Sequence, residues 1–465
     1  MTERLIAPST LGARAVYQVA VDRLRSQYRA LSEDEPVRLA KKTSNLFRMR
    51  DANRAQGLDV SAFSGVIEVD PVNRTADVLG MTTYEDLVDA TLRHGLMPMV
   101  VPELKTITLG GAVTGLGIES TSFRHGCPHE SVIDFDVLTG DGRVLTVTPN
   151  GPHADLFTGF PNSYGTLGYA LRLRIELAPV KPFVALEHYP VQSAQDAAST
   201  IREVTQTRAH RGRPVDFLDG VVFSHDRIII TVGRFVDEAP YLSDYTRAKI
   251  YYKSLEQRSS DYLTIRDYLW RWDTDWFWCS RALGVQHRMV RPFLPRRLLR
   301  SDVYWKMVGF ERRHGWKSGW DAKRGLAPRE AVIQDVEVPV DRLAEFLAFF
   351  HEEIGIAPLW LCPLRQRNPD VTWDLYALDA STTYVNLGFW SSVETKPAQR
   401  EGHHNRRIEE VVAELGGRKS LYSSSYYEPD NFWSVYNGAQ YALLKKQYDP
   451  RGRLLDLYDK SVRGR

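Results

Sequence analysis

Four glycines, Gly110, Gly111, Gly115 and Gly117, fall within eight residues, with Thr108, Thr114 and Ser120 beside them. Backbone of this composition turns sharply, approaches a neighbour closely and leaves N–H groups free to meet phosphate oxygens. It equally suits a tight loop between packed strands, and the segment alone leaves both readings open. No G-x-G-x-x-G opens a helix after a first strand, which excludes the Rossmann fingerprint. No G-K-[ST] follows, which excludes a P-loop. Further along, Asp335 and Glu337 stand two apart in a strand-like run and so share one face. By residue type such a pair is expected at a solvent-facing edge; on a dry face, burial would raise the pKa of one of them and make it an acid. Tyr422 and Tyr426 are alternative proton donors, or else core or interface tyrosines. His125, Cys127 and His129 alternate, but no fourth ligand sits at zinc-site spacing, so polar packing and no metal are expected. Residues 159–165 have the wrong spacing for a nucleophile elbow.

The elements that must position these residues are legible in outline. Ala15 to Leu31 has helical spacing. Gly65 to Asp70 and Thr75 to Leu79 read as paired strands, followed by a helix with Thr82 as N-cap and Glu85 completing a capping box. Leu96 to Val101 is a buried strand leading into the glycine-rich loop. A hairpin then turns at Asp141 and Gly142, a short helix covers His153 to Phe160, and a long strand begins at Gly168. From residue 182 strand–helix–strand order occurs twice, with Ala331 to Val338 as one of the strands, so an antiparallel sheet covered by helices is expected. Two closing helices, His403 to Leu415 and Asn431 to Tyr448, complete the chain.

Composition bounds the function. At 465 residues the chain is long enough for two or three domains, and its formal net charge of +2 gives no general pull toward nucleic acid or membrane. Three scattered cysteines form no disulfide framework and point to a reducing, cytoplasmic setting. There is no signal-peptide pattern and no run of eighteen apolar residues. One stretch is unusual: Trp270, Trp272, Trp276, Phe277 and Trp278 precede Arg288, Arg291, Arg296, Arg297, Arg300, Lys306, Arg312 and Arg313. It suits either a surface resting on anionic headgroups or a buried aromatic core with a solvated basic rim. No nucleic-acid-binding motif accompanies it.

The order of a basic loop, β-β-α-β, the glycine-rich segment, the hairpin and Gly165 to Gly168 resembles the PCMH-type FAD-binding domain of the vanillyl-alcohol-oxidase superfamily. The likeness is closer to the Δ24-sterol reductases, including plant Diminuto. It is carried by residues 101–104, 110–111, 114–122, 141–142, 155–157 and 165–168. It continues in residues 334–335, 338–339 and 358–363 and in Tyr422, Tyr426, Phe432, Trp433 and Gly438. The resemblance implies an α+β protein with a two-subdomain FAD-binding domain over residues 1–180 and an α/β cap with an antiparallel sheet over 181–425. A helical segment, 426–465, is expected to fold back on the FAD domain. It further implies that Lys42, Thr43, Ser44, Asn45, Thr108, Gly110, Gly111, Thr114, Gly115, Gly117, Ile118, Glu119, Ser120, Gly165 and Gly168 hold the cofactor. Residues 41–45 replace the usual flavin-linking loop, so noncovalent FAD is expected. Eukaryotic sterol enzymes carry an N-terminal membrane segment that this chain lacks, and bacterial members reduce a methylene-branched fatty acyl chain to its methyl branch, as in tuberculostearic acid synthesis.

These resemblances imply a flavoprotein reductase of an isolated C=C bond in a lipid, with NADPH as donor and a lipid-methylating methyltransferase as an upstream partner. A Δ24-sterol reductase and an alcohol or sugar oxidase using O2 are the alternatives. An isolated alkene needs a proton on its less substituted carbon and hydride at the tertiary centre, hence a protonated acid in a dry pocket. Asp335, Glu337, Tyr422 and Tyr426 are the candidates for that acid. Peripheral contact with a membrane is expected, and nucleic acid is not.

Overall fold

A computed structural model describes residues 8–41, 47–48, 57–314 and 327–464. Lys42, Thr43, Ser44 and Asn45 lie outside the described residues, as do the side chains of Arg312 and Arg313.

The first sheet is antiparallel and has six strands: β1 Val66–Asp70, β2 Thr75–Leu79, β3 Leu96–Pro98, β4 Val132–Leu138, β5 Val144–Val147 and β6 Tyr169–Pro179. Its order is β1-β2-β6-β4-β5, with β3 also on β6. Strand β6 alternates, sending Leu173, Ile175 and Leu177 into the core. From its other face Arg172 bonds Asp77 on β2 at 2.7 Å and Asp134 and Asp136 on β4 at 2.6 and 2.8 Å. One guanidinium thus ties three strands. Helix α1, Pro8–Ala30, lies against this sheet, and Tyr17 donates to Asp136 at 2.7 Å.

Two local expectations need correction. Helix α2, Tyr84–Leu92, is capped by Thr83, whose hydroxyl accepts from the Asp86 N–H at 3.2 Å. Thr82 is buried instead, accepting from the Gly65 N–H at 2.9 Å, and Glu85 serves Arg300 and Lys105. The predicted box fails because tertiary partners take both its members. The glycine-rich segment, read as loop, contains a helix, α3, Leu109–Gly115, capped by Thr108. Glycine disfavours helix, but packing decides here. The Gly110 N–H bonds Gly80 O at 2.9 Å, and a Cβ on Gly110 would stand 2.7 Å from that oxygen.

The second sheet has eight antiparallel strands: β7 Phe183–Val191, β8 Phe217–Ser224, β9 Arg227–Val236, β10 Ser260–Thr264, β11 Arg329–Pro339, β12 Leu359–Leu364, β13 Tyr384–Glu394 and β14 Arg418–Lys419. The order is β10-β7-β9-β8-β12-β13-β11-β14. Helices α4 Ala194–Thr207, α6 Leu343–Phe349 and α7 His403–Glu414 cover one face, and Ile201, Leu218, Val336, Phe346, Leu387 and Ile408 form the core beneath them. Helix α5, Ser301–His314, stands apart from that layer. The other face turns toward the first sheet. There Phe217, Val221 and Trp360 join one continuous core with Val78 and Val137. Trp272, Phe277, Trp278 and Trp390 belong to that core, with Phe277 stacked on Trp390 at 4.2 Å between centroids. The clustered aromatics are therefore interior, not a membrane-facing surface. The expected closing helix Asn431 to Tyr448 is two, Pro429–Val435 and Gly438–Tyr448, and the second lies on the first half: Tyr448 donates to Asp155 at 2.7 Å and Lys445 to the Thr166 carbonyl at 2.9 Å. No described helix is long and apolar enough to cross a membrane.

Candidate active site

A cavity of about 620 Å³ lies between the two sheets. That size is in the ordinary range for an organic ligand. Thr108, Gly110, Gly111, Thr114, Gly115, Gly117, Ile118, Gly165 and Gly168 all line it. The glycines serve different ends. A Cβ on Gly115 would meet the Tyr164 ring at 3.1 Å and one on Gly117 would meet Pro102 at 3.0 Å, so both allow close packing around Leu116, whose φ is 67°. At Gly111 an added Cβ meets only its own capping hydroxyl, Thr108 Oγ1 at 2.8 Å, and the rest of that side is open.

Glu119 and Ser120 are not on the wall. They are buried behind it, where Glu119 accepts from Arg271 at 2.8 Å and Arg271 bonds Asp219 of β8 at 2.7 Å. Ser120 Oγ lies 2.9 Å from the Tyr268 hydroxyl, and the Arg271 guanidinium sits 4.1 Å from the Tyr268 ring centroid. This cluster fastens the end of the glycine-rich segment to the second sheet.

Cations outside the glycine-rich segment also line the cavity: Arg38, Lys41 of the 41–45 loop, Arg48, Lys306 of the basic run and Lys460. Arg48 lies 4.8 Å from the Tyr164 ring centroid and donates to the Leu421 carbonyl; Lys460 donates to the Tyr164 carbonyl. Arg38 Nε is buried with no hydrogen-bond partner among the described residues. An orphaned guanidinium N–H, further cations and glycine backbone together fit the diphosphate of a dinucleotide. The residues fit FAD. The sequence offered little signal for Arg38 and Lys460, since isolated arginines and lysines are usually solvated.

The opposite wall carries side chains. Asp335, Trp390, Ser420 and Tyr422 line it, with Phe277 and Trp276. The expected solvent-facing edge is not what forms: β11 runs between β13 and β14, and its Asp335–Glu337 face turns inward. Asp335 pairs in register with Gly388, where a Cβ would stand 2.5 Å from Asp335 Oδ1 and 2.6 Å from the Trp390 ring. Gly388 thus makes room for the carboxyl. Asn386 donates to Asp335 at 3.4 Å, and Trp390 Nε1 donates to Tyr422 OH at 3.0 Å. Desolvation pushes Asp335 up to about 7, against hydrogen bonds from Asn386 and Tyr422. Glu337 is sealed off from the cavity, accepts from Tyr376 and from Ser420 at 3.2 Å, and is pushed up to about 8, chiefly by burial. Burial also lifts the Tyr422 hydroxyl well above its ordinary value, and the Asp335 charge adds to this. Tyr426 lies outside the cavity, its ring against Gly402 and 5.5 Å from the Arg406 guanidinium.

Glu103 is a wall residue the sequence did not single out. Burial holds its carboxyl well above the ordinary range, and Glu119 and Asp335 add to the rise. His129 is buried with its ring 4.4 Å from Trp373, and among the described residues no three His, Cys, Asp or Glu side chains form a metal-binding group.

Comparison with known proteins agrees with this geometry. Residues 21–148 match the family described as FAD binding domain. The chain is 24% identical over 406 residues to Delta(24)-sterol reductase of Homo sapiens, covering 85% of this chain and 75% of that one. It is 25% identical to Delta(24)-sterol reductase of Arabidopsis thaliana, covering 95% and 83%. It is also 30% identical to cytokinin dehydrogenase 5 of Oryza sativa subsp. japonica, covering 81% and 71%. The segment that matches the FAD binding domain includes α3 and the wall residues from Thr108 to Ile118, while Gly165 and Gly168 lie beyond it. The chain therefore belongs to the FAD-dependent oxidoreductases built on this FAD binding domain.

Proposed function

We propose that this protein reduces an isolated C=C bond in a lipid, and that its substrate is a methylene-branched fatty acyl chain of a phospholipid. The observation that carries this reading is Asp335. It is a carboxyl on the cavity wall, lifted to about 7 and set beside Tyr422, Trp390 and Phe277. An alkene without a neighbouring carbonyl has nothing to polarise, so a held proton is what the reaction needs. FAD, held noncovalently and reduced by NADPH, supplies the hydride when bound.

The protein's own residues do the rest. The glycine wall with Arg38, Lys41 and Lys460 holds the diphosphate. Asp335 gives its proton to the terminal carbon of the methylene group, and the aromatic wall keeps water from the tertiary centre that develops. That proton makes the methyl group, the hydride that bound reduced FAD would supply would go to the tertiary carbon, and the Asp335 carboxylate regains its proton from solvent. Tyr422 positions the Asp335 carboxyl through their hydrogen bond. Glu337 and Tyr426, which lie off the wall, are assigned no contact with substrate. A methyltransferase that makes the methylene lipid is the partner expected upstream.

A second reading has its own support. The human and Arabidopsis relatives are named for a Δ24-sterol, whose side-chain alkene poses the same protonation problem. An anaerobic absorbance titration tests both. The flavin band should bleach with NADPH and return on adding a methylene-branched phospholipid. Return only with a Δ24-sterol would replace the first substrate by the second. A flavin reoxidised by neither alkene, but yielding hydrogen peroxide with a polar alcohol, would overturn the reductase reading.

A further inference from the structure

From residue 276 to residue 301 the sequence has six arginines and no aspartate or glutamate. The structure divides the arginines by role. Arg291 is buried, bonded to Asp275 at 2.9 Å and to the Arg247 carbonyl at 2.7 Å. Arg300 is held by Glu85 at 2.8 Å. Both are internal ties. Arg296 is exposed and pairs with Asp244 at 2.6 Å, whereas Arg281, Arg288 and Arg297 are exposed and make no ion pair among the described residues.

Between these cations stand Met289, Phe293 and Met307, exposed by 70%, 84% and 45%, with Val290 and Leu298. Single exposed apolar residues are ordinary on any surface. Five large ones in nineteen residues, without a single intervening acid before Asp302, are not scattered. The segment is anchored from within by Trp276, Val285, Leu299 and Tyr304, which pack on Phe47, Leu104 and Cys279 of the cavity wall. Helix α5 adds Asp302, Trp305 and Lys306 to that wall. One piece of chain is therefore cavity lining on its inner side and a cationic, apolar surface on its outer side.

We propose that this surface docks on an anionic phospholipid bilayer. Phe293 and Met289 enter the boundary between headgroups and acyl chains, and Arg281, Arg288 and Arg297 meet lipid phosphates. Charge selects the occupant: the apolar residues stand among three exposed arginines with no ion pair among the described residues, and the nearby acid Asp244 is taken up by Arg296, so the face favours a negative surface and repels a copy of itself. Docking sets the α5 wall of the cavity against the membrane, so an acyl chain passes between them with little exposure to water. The purpose of this surface rests on the lipid-reductase reading, but its existence does not.

The test is sedimentation of the full, FAD-loaded chain with vesicles of phosphatidylglycerol and phosphatidylcholine, and with phosphatidylcholine alone. Binding should require the anionic lipid and weaken with salt. Met289→Ser with Phe293→Ser, and separately Arg288→Glu with Arg297→Glu, should each lower partitioning by about tenfold or more. Flavin content, thermal stability and turnover of detergent-dispersed substrate should stay as in the parent. Equal binding to neutral vesicles, or unchanged binding by both double variants, would overturn the proposal. So would a parent dimer that becomes monomeric in the Met289→Ser, Phe293→Ser variant, since a second copy would then cover the face. Vesicle binding that follows the predictions while reduced flavin is reoxidised by no lipid alkene would leave docking intact and sink the reductase reading instead.

Discussion

Two groups of carboxyls lie on the same side of the second sheet, one with a cation between its members and one without. Glu119 and Asp219 are buried with Arg271 between them, at 2.8 and 2.7 Å. Burial opposes the charges here too and lifts the Glu119 carboxyl, but the Arg271 charge works against that lift, and Glu119 leads the groups that hold the guanidinium well above its ordinary value. Among the described residues the side-chain hydrogen-bond partners of Asp335 and Glu337 are Asn386, Tyr422, Tyr376 and Ser420. No cation among them answers the two carboxyls, so desolvation lifts both, to about 7 and about 8. A buried carboxylate with an arginine is a tie between elements; one without a cation keeps a proton it can give away. Only Asp335 of the second group reaches the cavity, which is why the reaction is placed there.

Replacing Asp335 should break the comparison most severely. Asp335→Asn keeps the shape and removes the transferable proton. Reoxidation of reduced flavin by substrate should slow by about 10²- to 10⁴-fold, the usual worth of a general acid. Flavin reduction by NADPH should be unaffected. In the parent, reoxidation should fall about tenfold per pH unit above about 7, because the acid must be protonated to act, and the variant should lose that limb. An Asp335→Asn enzyme with parental rates would move the acid elsewhere, with Glu103 the next carboxyl on the wall.

Arg271→Met tests the other group. It leaves two carboxylates buried without their cation, a cost of about 3–5 kcal/mol. The melting temperature should fall sharply, and adding Glu119→Gln should recover part of the loss. A third, smaller effect concerns the room left for the acid. Gly388→Ala would push a methyl within 2.5 Å of Asp335 Oδ1 and against Trp390. Overpacking of this kind costs about 1–3 kcal/mol. It should slow flavin reoxidation more than flavin reduction, whereas equal slowing would mean that Gly388 serves only packing.

What the sequence disclosed follows the same division. Gly110, Gly111, Gly115 and Gly117 were legible because glycine marks backbone that must come close to something, and all four line the cavity. Glu119 and Ser120 belong to the same contiguous motif but face away, since a motif records neighbours in sequence and not the direction of a side chain. Arg38 and Lys460 come from remote segments and carry no local signature, whereas Lys41 opens the 41–45 loop that the sequence did mark. Asp335 and Glu337 were placed on one face by strand periodicity. Whether that face was wet or dry depended on Tyr376, Ser420 and Tyr422, which pack over it from segments that no pattern near residue 335 reveals. The glycine-rich helix α3 was hidden because glycine's low helix propensity was overridden by contact with Gly80.

Glu337→Gln should have the smallest effect on turnover and separates the two carboxyls that strand periodicity could not. Glu337 is fully buried and absent from the cavity wall, so flavin reoxidation near pH 7 should stay within about threefold of the parent, well short of a general acid's worth. Its signature is in stability. A carboxyl held at about 8 in the native state and near 4 when unfolded binds more proton folded than unfolded between those values. The native state therefore loses stability as pH rises through that window, and the loss is complete above about 8. Asp335 contributes a slope of the same sign that ends near 7. Glu337→Gln should flatten the upper part of the profile and leave the variant more stable than the parent at pH 9, with the activity limb of Asp335 still in place. If instead Glu337→Gln abolished turnover as Asp335→Asn does, the two carboxyls would have to be treated as one coupled acid, and the contrast between a sealed group and a working one would fail.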